Sequence, residues 1–387
     1  MLSHSFYDVL LVAGIDAVGL ARFPFVLHKA GCRVTLLSPH GFAISRSRFV
    51  NQHIATSTDA NARVLHLKSL LEEKRPERFA HVIIGDELTL AALAEYRGEN
   101  WLDDCFPVNH RTNAVDVILS KLAFYEEMVA AGLSMPYAKL CHSWSEVETA
   151  AQQTHYPMIL KTSYGFTGSS VRKIANQAEL EPAFRELVAP DSALLVQQFC
   201  EGATGSTDVL FNHGVPMCWQ STYISECWPT PLAASSARTL MSHSGIEQML
   251  SDVGRLTGFH GFASIDWIQE QRSNHIYLLE LNPRPIPTYH LDKYFGIDFG
   301  ASYKQLLSGQ MSVTPPKSIN QPAPVIKLFP QNLYWSISER NWGSFISCWH
   351  DAPWNDPLLL AAYLRRVFTH YLPKQWRETA RRYLRKS

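Results

Sequence analysis

The sequence lacks a charge bias: 35 Lys and Arg residues balance 35 Asp and Glu residues, giving a formal net charge of zero. Nothing global therefore draws the chain to nucleic acid or to a membrane surface. It also lacks an uninterrupted apolar run of spanning length, so no stable membrane insertion is expected. The first apolar stretch, Val9-Leu-Leu-Val-Ala13, is brief, is followed by Asp16 and has no basic leader, which argues against a secretion signal. Cysteine is sparse and unpatterned. The seven cysteines include no C-x-x-C pair, which disfavours zinc and disulfide frameworks and fits reduced thiols in a cytoplasm.

Two nucleotide fingerprints are missing as well. Gly14 and Gly19 follow the first strand, but no third glycine completes G-x-G-x-x-G. Glycines at strand–helix turns are common for geometric reasons alone. The Walker pattern is absent too, because Lys161 precedes its glycines.

What is present supports two or three globular domains: 387 residues, 46% of them hydrophobic. Residues 8–13, 33–37 and 81–85 read as buried strands separated by helices at 20–30 and 66–74, which predicts a parallel, doubly wound sheet over residues 1–108. A second region, 109–310, begins with one amphipathic helix over 113–131 that carries Lys121. It continues with strands at 138–141, 156–161, 171–174 and 194–199, a helix at 146–154 capped by Ser143 or Ser145, and a helix near 179–188. Strands at 261–268 and 276–282 follow, separated by a polar turn, and such pairs suit an α+β domain. Pro315-Pro316 and Pro322-Ala-Pro324 mark a linker within 311–387. That last region is rich in tryptophan and ends in basic helical segments, with eight Lys or Arg against one Glu from Tyr363 onward. Basic helices of this kind are ordinarily a solvated face; an anionic partner or membrane surface is the lesser reading.

The residues that carry chemistry lie in the second region. Glu280 and Asn282 are two apart on a strand and so point to one side. If their strand pairs with the preceding one, Asp266 joins them, and three hard oxygen ligands suit magnesium, with manganese as a substitute. Glu280 interrupts an apolar strand, and a buried carboxylate needs a partner. Arg284 follows between Pro283 and Pro285, placed to stabilise charge on a transferring phosphoryl group. From the other side, Lys161 ends a buried strand and precedes Gly165, Gly168, Ser169 and Ser170, small residues whose backbone can approach phosphate oxygens. Taken singly, Lys161 reads as a solvated strand end and Asp266 as a turn-proximal cap; the joint pattern is what carries weight. Arg238, in a polar stretch, reads equally as an exposed loop arginine or as a group reaching a phosphate or a substrate carboxylate. His243, His260 and His290 show no ligand spacing.

In order and spacing, residues 109–305 resemble the ATP-grasp superfamily, which includes biotin carboxylase, carbamoyl-phosphate synthetase and D-alanine–D-alanine ligase. The resemblance implies an N-terminal pre-ATP-grasp α/β domain over 1–108, a two-subdomain ATP-grasp domain over 109–310 and a small helical C-terminal extension over 311–387. It implies that Lys121 and Lys161 contact the phosphates of ATP, that Gln197, Gln198 and Phe199 form the adenine hinge, and that Asp266, Glu280 and Asn282 bind magnesium. The acidic residue that usually holds the ribose is replaced near Thr204, leaving Glu201 or Asp208 to substitute. The activity implied is ligation: a small-molecule carboxylate becomes an acylphosphate, an amine displaces the phosphate, and ADP is released. Arg284, Lys161 and Arg238 assist. Bicarbonate activation and ATP binding without ligation are the competing readings. The partners expected are the two small substrates and no nucleic acid, in a cytoplasmic protein compatible with a homodimer.

Overall fold

The computed structural model describes residues 6–74, 79–162, 171–188, 193–228 and 234–367. Its first sheet contains β1 (Tyr7–Val12), β2 (Cys32–Ser38), β3 (Gln52–Ala55) and β4 (His81–Ile84), all parallel, in the order β3-β2-β1-β4. Alternation along β1 explains the layering. Val9 and Leu11 pack with Phe23 and Val26 on one face, whereas Leu10 and Val12 pack with Val64 and Leu67 on the other. The sheet is doubly wound, as the strand–helix alternation implies. The chain turns to opposite sides of β1, so the carboxyl ends of β1 and β4 flank a topological switch point.

A small antiparallel sheet follows, containing β5 (Ala138–Cys141), β6 (Met158–Thr162), β7 (Val171–Ile174) and β8 (Leu194–Gln198) in the order β5-β8-β6-β7. The larger antiparallel sheet has six strands: β9 (Gly202–Asn212), β10 (Val215–Cys227), β11 (Ser235–Met241), β12 (Gly261–Glu270), β13 (Ile276–Asn282) and β14 (Val325–Lys327), ordered β13-β12-β9-β10-β11-β14. The fold is thus mixed: a parallel α/β unit beside antiparallel grasp sheets.

Two departures from the sequence reading matter for the site. The helix expected over 113–131 is two helices, Ala114–Leu119 and Lys121–Ala130. Ser120 between them is extended and its hydroxyl caps the second helix by accepting from the Ala123 amide, 3.3 Å away. Lys121 therefore opens a helix instead of riding on the middle of one. The described residues of 202–241 form three strands, where the sequence reading placed none. β9 and β10 are joined through His213 and Gly214, both at positive φ, the geometry of a tight hairpin.

Residues after the prolines return to this body. β14 pairs with β11, and Leu333, Tyr334, Leu359 and Tyr363 enter the core that also holds Phe23 and Phe299. Among the described residues no helix is long and apolar enough to cross a membrane.

A histidine cluster marks one seam. The His81 ring lies 5.2 Å from that of His260, which stacks on His213 at 4.2 Å, and His81 Nδ1 is 2.9 Å from the Tyr303 hydroxyl. Burial first, then the neighbouring histidines, lower His81 to about 3; burial and His213 lower His260 to about 4. Both fold as neutral rings. Their contribution to stability is therefore complete above the unfolded value of about 6.5 and is lost as pH falls through the folded values, at up to about 1.4 kcal/mol per pH unit from each ring. Urea midpoints measured from pH 7 to pH 4 should fall more steeply for the native chain than for His81→Gln/His260→Gln. Parallel profiles would contradict the assignment.

Candidate active site

The metal-type carboxylates meet across a strand pair. β12 and β13 are antiparallel, with Asp266 opposite Glu280 and Ser264 opposite Asn282. The Asn282 amide donates to Asp266 Oδ2 at 3.1 Å. Burial and the Glu280 charge push the Asp266 carboxyl up to about 7, because two carboxylates held side by side resist joint ionisation. Burial pushes Glu280 up as well, but Lys121 and Lys161 outweigh it and hold that group below its ordinary value.

The cations arrive from other elements. Lys121, at the opening of its helix, places Nζ 3.3 Å from Glu280 Oε2. Lys161, on β6 of the small sheet, is buried; burial lowers its ammonium to about 8, against the pull of Glu280. Two lysines from two elements thus face one carboxylate pair, as a site for a polyphosphate and a hard cation requires. The donor set of two carboxylates and an amide fits magnesium or manganese. Among the described residues no group of three or more His, Cys, Asp or Glu could hold a metal.

Arg238 is neither exposed nor in a loop. It lies on β11, 6% exposed, and donates to Ser235 Oγ at 2.9 Å, Ser206 Oγ at 2.6 Å and Thr222 Oγ1 at 3.3 Å. Ser206 is directly opposite Asp266. Among the described residues no carboxylate accepts a hydrogen bond from this guanidinium, so a buried cation stands next to the metal-type pair with hydroxyls as its side-chain acceptors. Burial lowers its pKa, and Asp266 and Asp208 counter that.

Asp208 is a correction. It does not stand at the hinge, where a ribose ligand would lie, but six residues along β9 from Gly202. There it is buried, and its Oδ2 accepts from Gln220 Nε2 and Thr288 Oγ1, each at 2.7 Å. Burial raises it to about 6. Its place is on the polar face of the large sheet, beneath the loop that follows Arg284. Glu201 remains at the hinge end, exposed, with its carbonyl accepting from the Gln271 amide at 3.0 Å.

At the hinge, Gln197 is buried opposite Ala138 and Ile159, whereas Gln198 is exposed and its amide donates to the Tyr137 carbonyl at 2.8 Å. Lys173 lies 3.8 Å from the centre of the Phe199 ring. Gly165, Gly168, Ser169 and Ser170 lie outside the described residues.

One residue escaped the sequence reading. Glu87 opens the helix Glu87–Leu93 at the carboxyl end of β4, and its Oε1 lies 3.2 Å from Nε of Arg284. Asp86 fixes the turn by accepting from the Thr89 amide at 2.8 Å and the Gly14 amide at 2.6 Å. Burial raises the Glu87 carboxyl despite Arg284. The signal was available: an acid beside a topological switch point, where open α/β sheets bind ligands. The loop after Arg284 closes on the same place, where a Cβ on Gly19 would fall 2.1 Å from Pro287.

Comparison with known proteins agrees with this geometry. Residues 118–288 match the profile of the ATP-grasp domain. A D-alanine–D-alanine ligase of Xanthomonas axonopodis pv. citri is 27% identical over 199 residues, which cover 47% of this chain and 62% of that ligase. The structure of N5-carboxyaminoimidazole synthetase from Staphylococcus aureus complexed with ADP superposes with a TM-score of 0.65 at 12% identity, covering 87% of this chain and 86% of the other. L-amino acid ligase from Bacillus licheniformis gives 0.57 at 16% identity, covering 81% and 75%. With its two antiparallel sheets and the match over residues 118–288, the chain contains an ATP-grasp domain.

Proposed function

We propose that the protein is an ATP-dependent ligase that activates a small-molecule carboxylate as an acylphosphate and joins it to an amine. One observation carries this reading: Lys121 and Lys161 converge on the half-buried Asp266–Glu280 pair, with Arg238 and Arg284 beside it. The names of two similar proteins, a D-alanine–D-alanine ligase and an L-amino acid ligase, support the choice of a carboxylate and an amine. Seven free thiols are in keeping with a cytoplasmic location.

In this scheme a substrate carboxylate oxygen attacks the γ-phosphorus of ATP, the bond to the bridging oxygen breaks, and ADP leaves. The amine then attacks the acyl carbon and expels phosphate. Lys121 and Lys161 hold the phosphate charge, and Arg238 and Arg284 approach the transferring group from the large sheet and its following loop. Magnesium held by Asp266, Glu280 and Asn282 would neutralise phosphate charge when bound. A panel of acid–amine pairs, scored for magnesium-dependent ADP release and for a coupled product, tests the reading. ADP release that never responds to an added acid and amine would sink it. Release that responds to bicarbonate alone would favour a carboxylase, in keeping with the N5-carboxyaminoimidazole synthetase likeness.

Glu87 takes a role in the same scheme. Held by Arg284 and raised by burial, it is placed to accept the amine's proton once Arg284 turns to the phosphoryl group. Glu87→Gln should lower kcat/KM for the amine about 10²-fold while leaving the KM for ATP within about twofold. A change confined to the KM for ATP would contradict this.

A further inference from the structure

One buried carboxylate has no task in the chemistry described above. Asp208 lies in a polar row that crosses four strands at one register. Asn282 on β13 is opposite Ser264 on β12, Ser264 is opposite Asp208 on β9, and Asp208 is opposite Gln220 on β10. The neighbouring row, two residues along, is Glu280, Asp266, Ser206 and Thr222, so both rows share the site face. Asp208, Gln220 and Ser264 are buried. Among the described residues Asp208 Oδ1, Gln220 Oε1 and Ser264 Oγ meet no hydrogen-bond partner. Buried polar atoms left in this state cost stability, so packing alone does not account for the row.

What Asp208 does hold is the loop that carries Arg284. Its Oδ2 accepts from Thr288 Oγ1 and from Gln220 Nε2, each at 2.7 Å, and the same Nε2 donates to the Thr288 carbonyl at 2.6 Å. Thr288 is thus fixed through its side chain and its backbone at once. The next residue, Tyr289, is buried, with its hydroxyl donating to the Ala263 carbonyl at 2.6 Å. At the other end Asn282 belongs to β13, and its carbonyl accepts from the Arg284 amide at 2.8 Å. Between these anchors stand Pro283, Pro285 and Pro287, whose fixed φ leaves the span few conformations. The Arg284 side chain is then directed by its backbone, with Nε 3.2 Å from Glu87 Oε1. We propose that Asp208, together with Gln220, is a positioning residue: through Thr288 it fixes the loop that presents Arg284 to the transferring phosphoryl group. This role rests on the one given to Arg284 in the ligase scheme.

Thr288→Val keeps the shape of the side chain and removes its hydroxyl. In the full chain it should lower the kcat of magnesium-dependent ADP release at least about tenfold, with the KM for ATP within about twofold. Thr288→Ser should restore the rate. Asp208→Ala should lose at least as much as Thr288→Val, and Asp208→Asn, which keeps an acceptor oxygen, should lose less than either. In an Arg284→Ala chain, Thr288→Val should change kcat by less than about twofold, because the loop then presents no guanidinium. Hydrogen exchange over residues 283–291 should quicken about fivefold in Thr288→Val and stay unchanged over residues 7–12. An equal loss of rate with and without Arg284 would show a general structural role and overturn the proposal. So would a native kcat in Thr288→Val or Asp208→Ala, or unchanged exchange over 283–291. The rates are compared with whichever compound stimulates ADP release, so a response to bicarbonate alone would sink the acid–amine reading and leave the positioning role still tested.

Discussion

Glu280→Gln should lower the rate of magnesium-dependent ADP release by about 10³-fold or more, with the fold intact. Glu280 is the one carboxylate on which the site's separate parts converge: Lys121 pairs with it, Lys161 feels it, and Asp266 lies directly opposite. Removing its charge leaves two lysines beside a neutral amide and reduces the metal-type set to a single carboxylate. Without the Glu280 repulsion Asp266 ionises more readily, yet one carboxylate then stands where two did. The loss should appear in kcat and in the magnesium concentration needed for half-maximal rate. Circular dichroism and the thermal midpoint of the variant separate a lost site from a lost fold. A folded variant that releases ADP within tenfold of the native rate would contradict the role given to Glu280.

The largest effect on stability should come from Asp351→Ala. Asp351 is buried, and its carboxylate joins three stretches of chain: Arg22 Nη1 at 2.8 Å, His290 Nε2 at 2.8 Å and the Phe329 amide at 2.9 Å. Burial pushes this carboxyl up, yet His290 and Arg22 outweigh that and hold it low. Truncation would leave the Phe329 amide without its acceptor and the Arg22 guanidinium without its counter-charge, holding only the residue 351 carbonyl at 2.7 Å, at a cost of about 3–5 kcal/mol. Neighbouring ties, such as Tyr363 Oη to the Val18 carbonyl and Arg366 to Asp16, cross the same seam and limit the damage to the C-terminal helices. Urea unfolding of the variant measures the loss directly; a change below about 1 kcal/mol would show that the network is not cooperative.

The site was legible in the sequence where it obeys a strand's period. Glu280 and Asn282 share a face because they are two apart, and an acid within an apolar strand has no cheap alternative. Lys161 could be placed because its strand is short and apolar. The parallel sheet was legible for the same reason: its strands are buried on both faces and read as continuous apolar runs. Strands β9 to β11 were not. Their site-facing residues Ser206, Asp208, Gln220, Thr222 and Arg238 are polar yet buried, so a pattern that normally marks a loop or a solvated face belongs to the inner face of a sheet. For that reason the sequence leaves Arg238 open between a loop arginine and a group reaching a phosphate or carboxylate, and leaves Asp208 beside Glu201 as a ribose candidate, because its place along β9 is not legible. Lys121 depended on one backbone conformation, that of Ser120, which breaks a helix that periodicity alone continues. Glu87 required topology: only the strand order brings the end of β4 to Arg284.

The central claim is that ATP is spent on a carboxylate. It is tested most directly by following heavy-oxygen label from the acid that best stimulates ADP release. With the labelled acid and an amine, phosphorus spectroscopy should find one labelled oxygen in each phosphate released, matching the coupled product one for one. Phosphate that carries no label while ADP accumulates would show that water, not a carboxylate, receives the phosphoryl group, and would contradict the account.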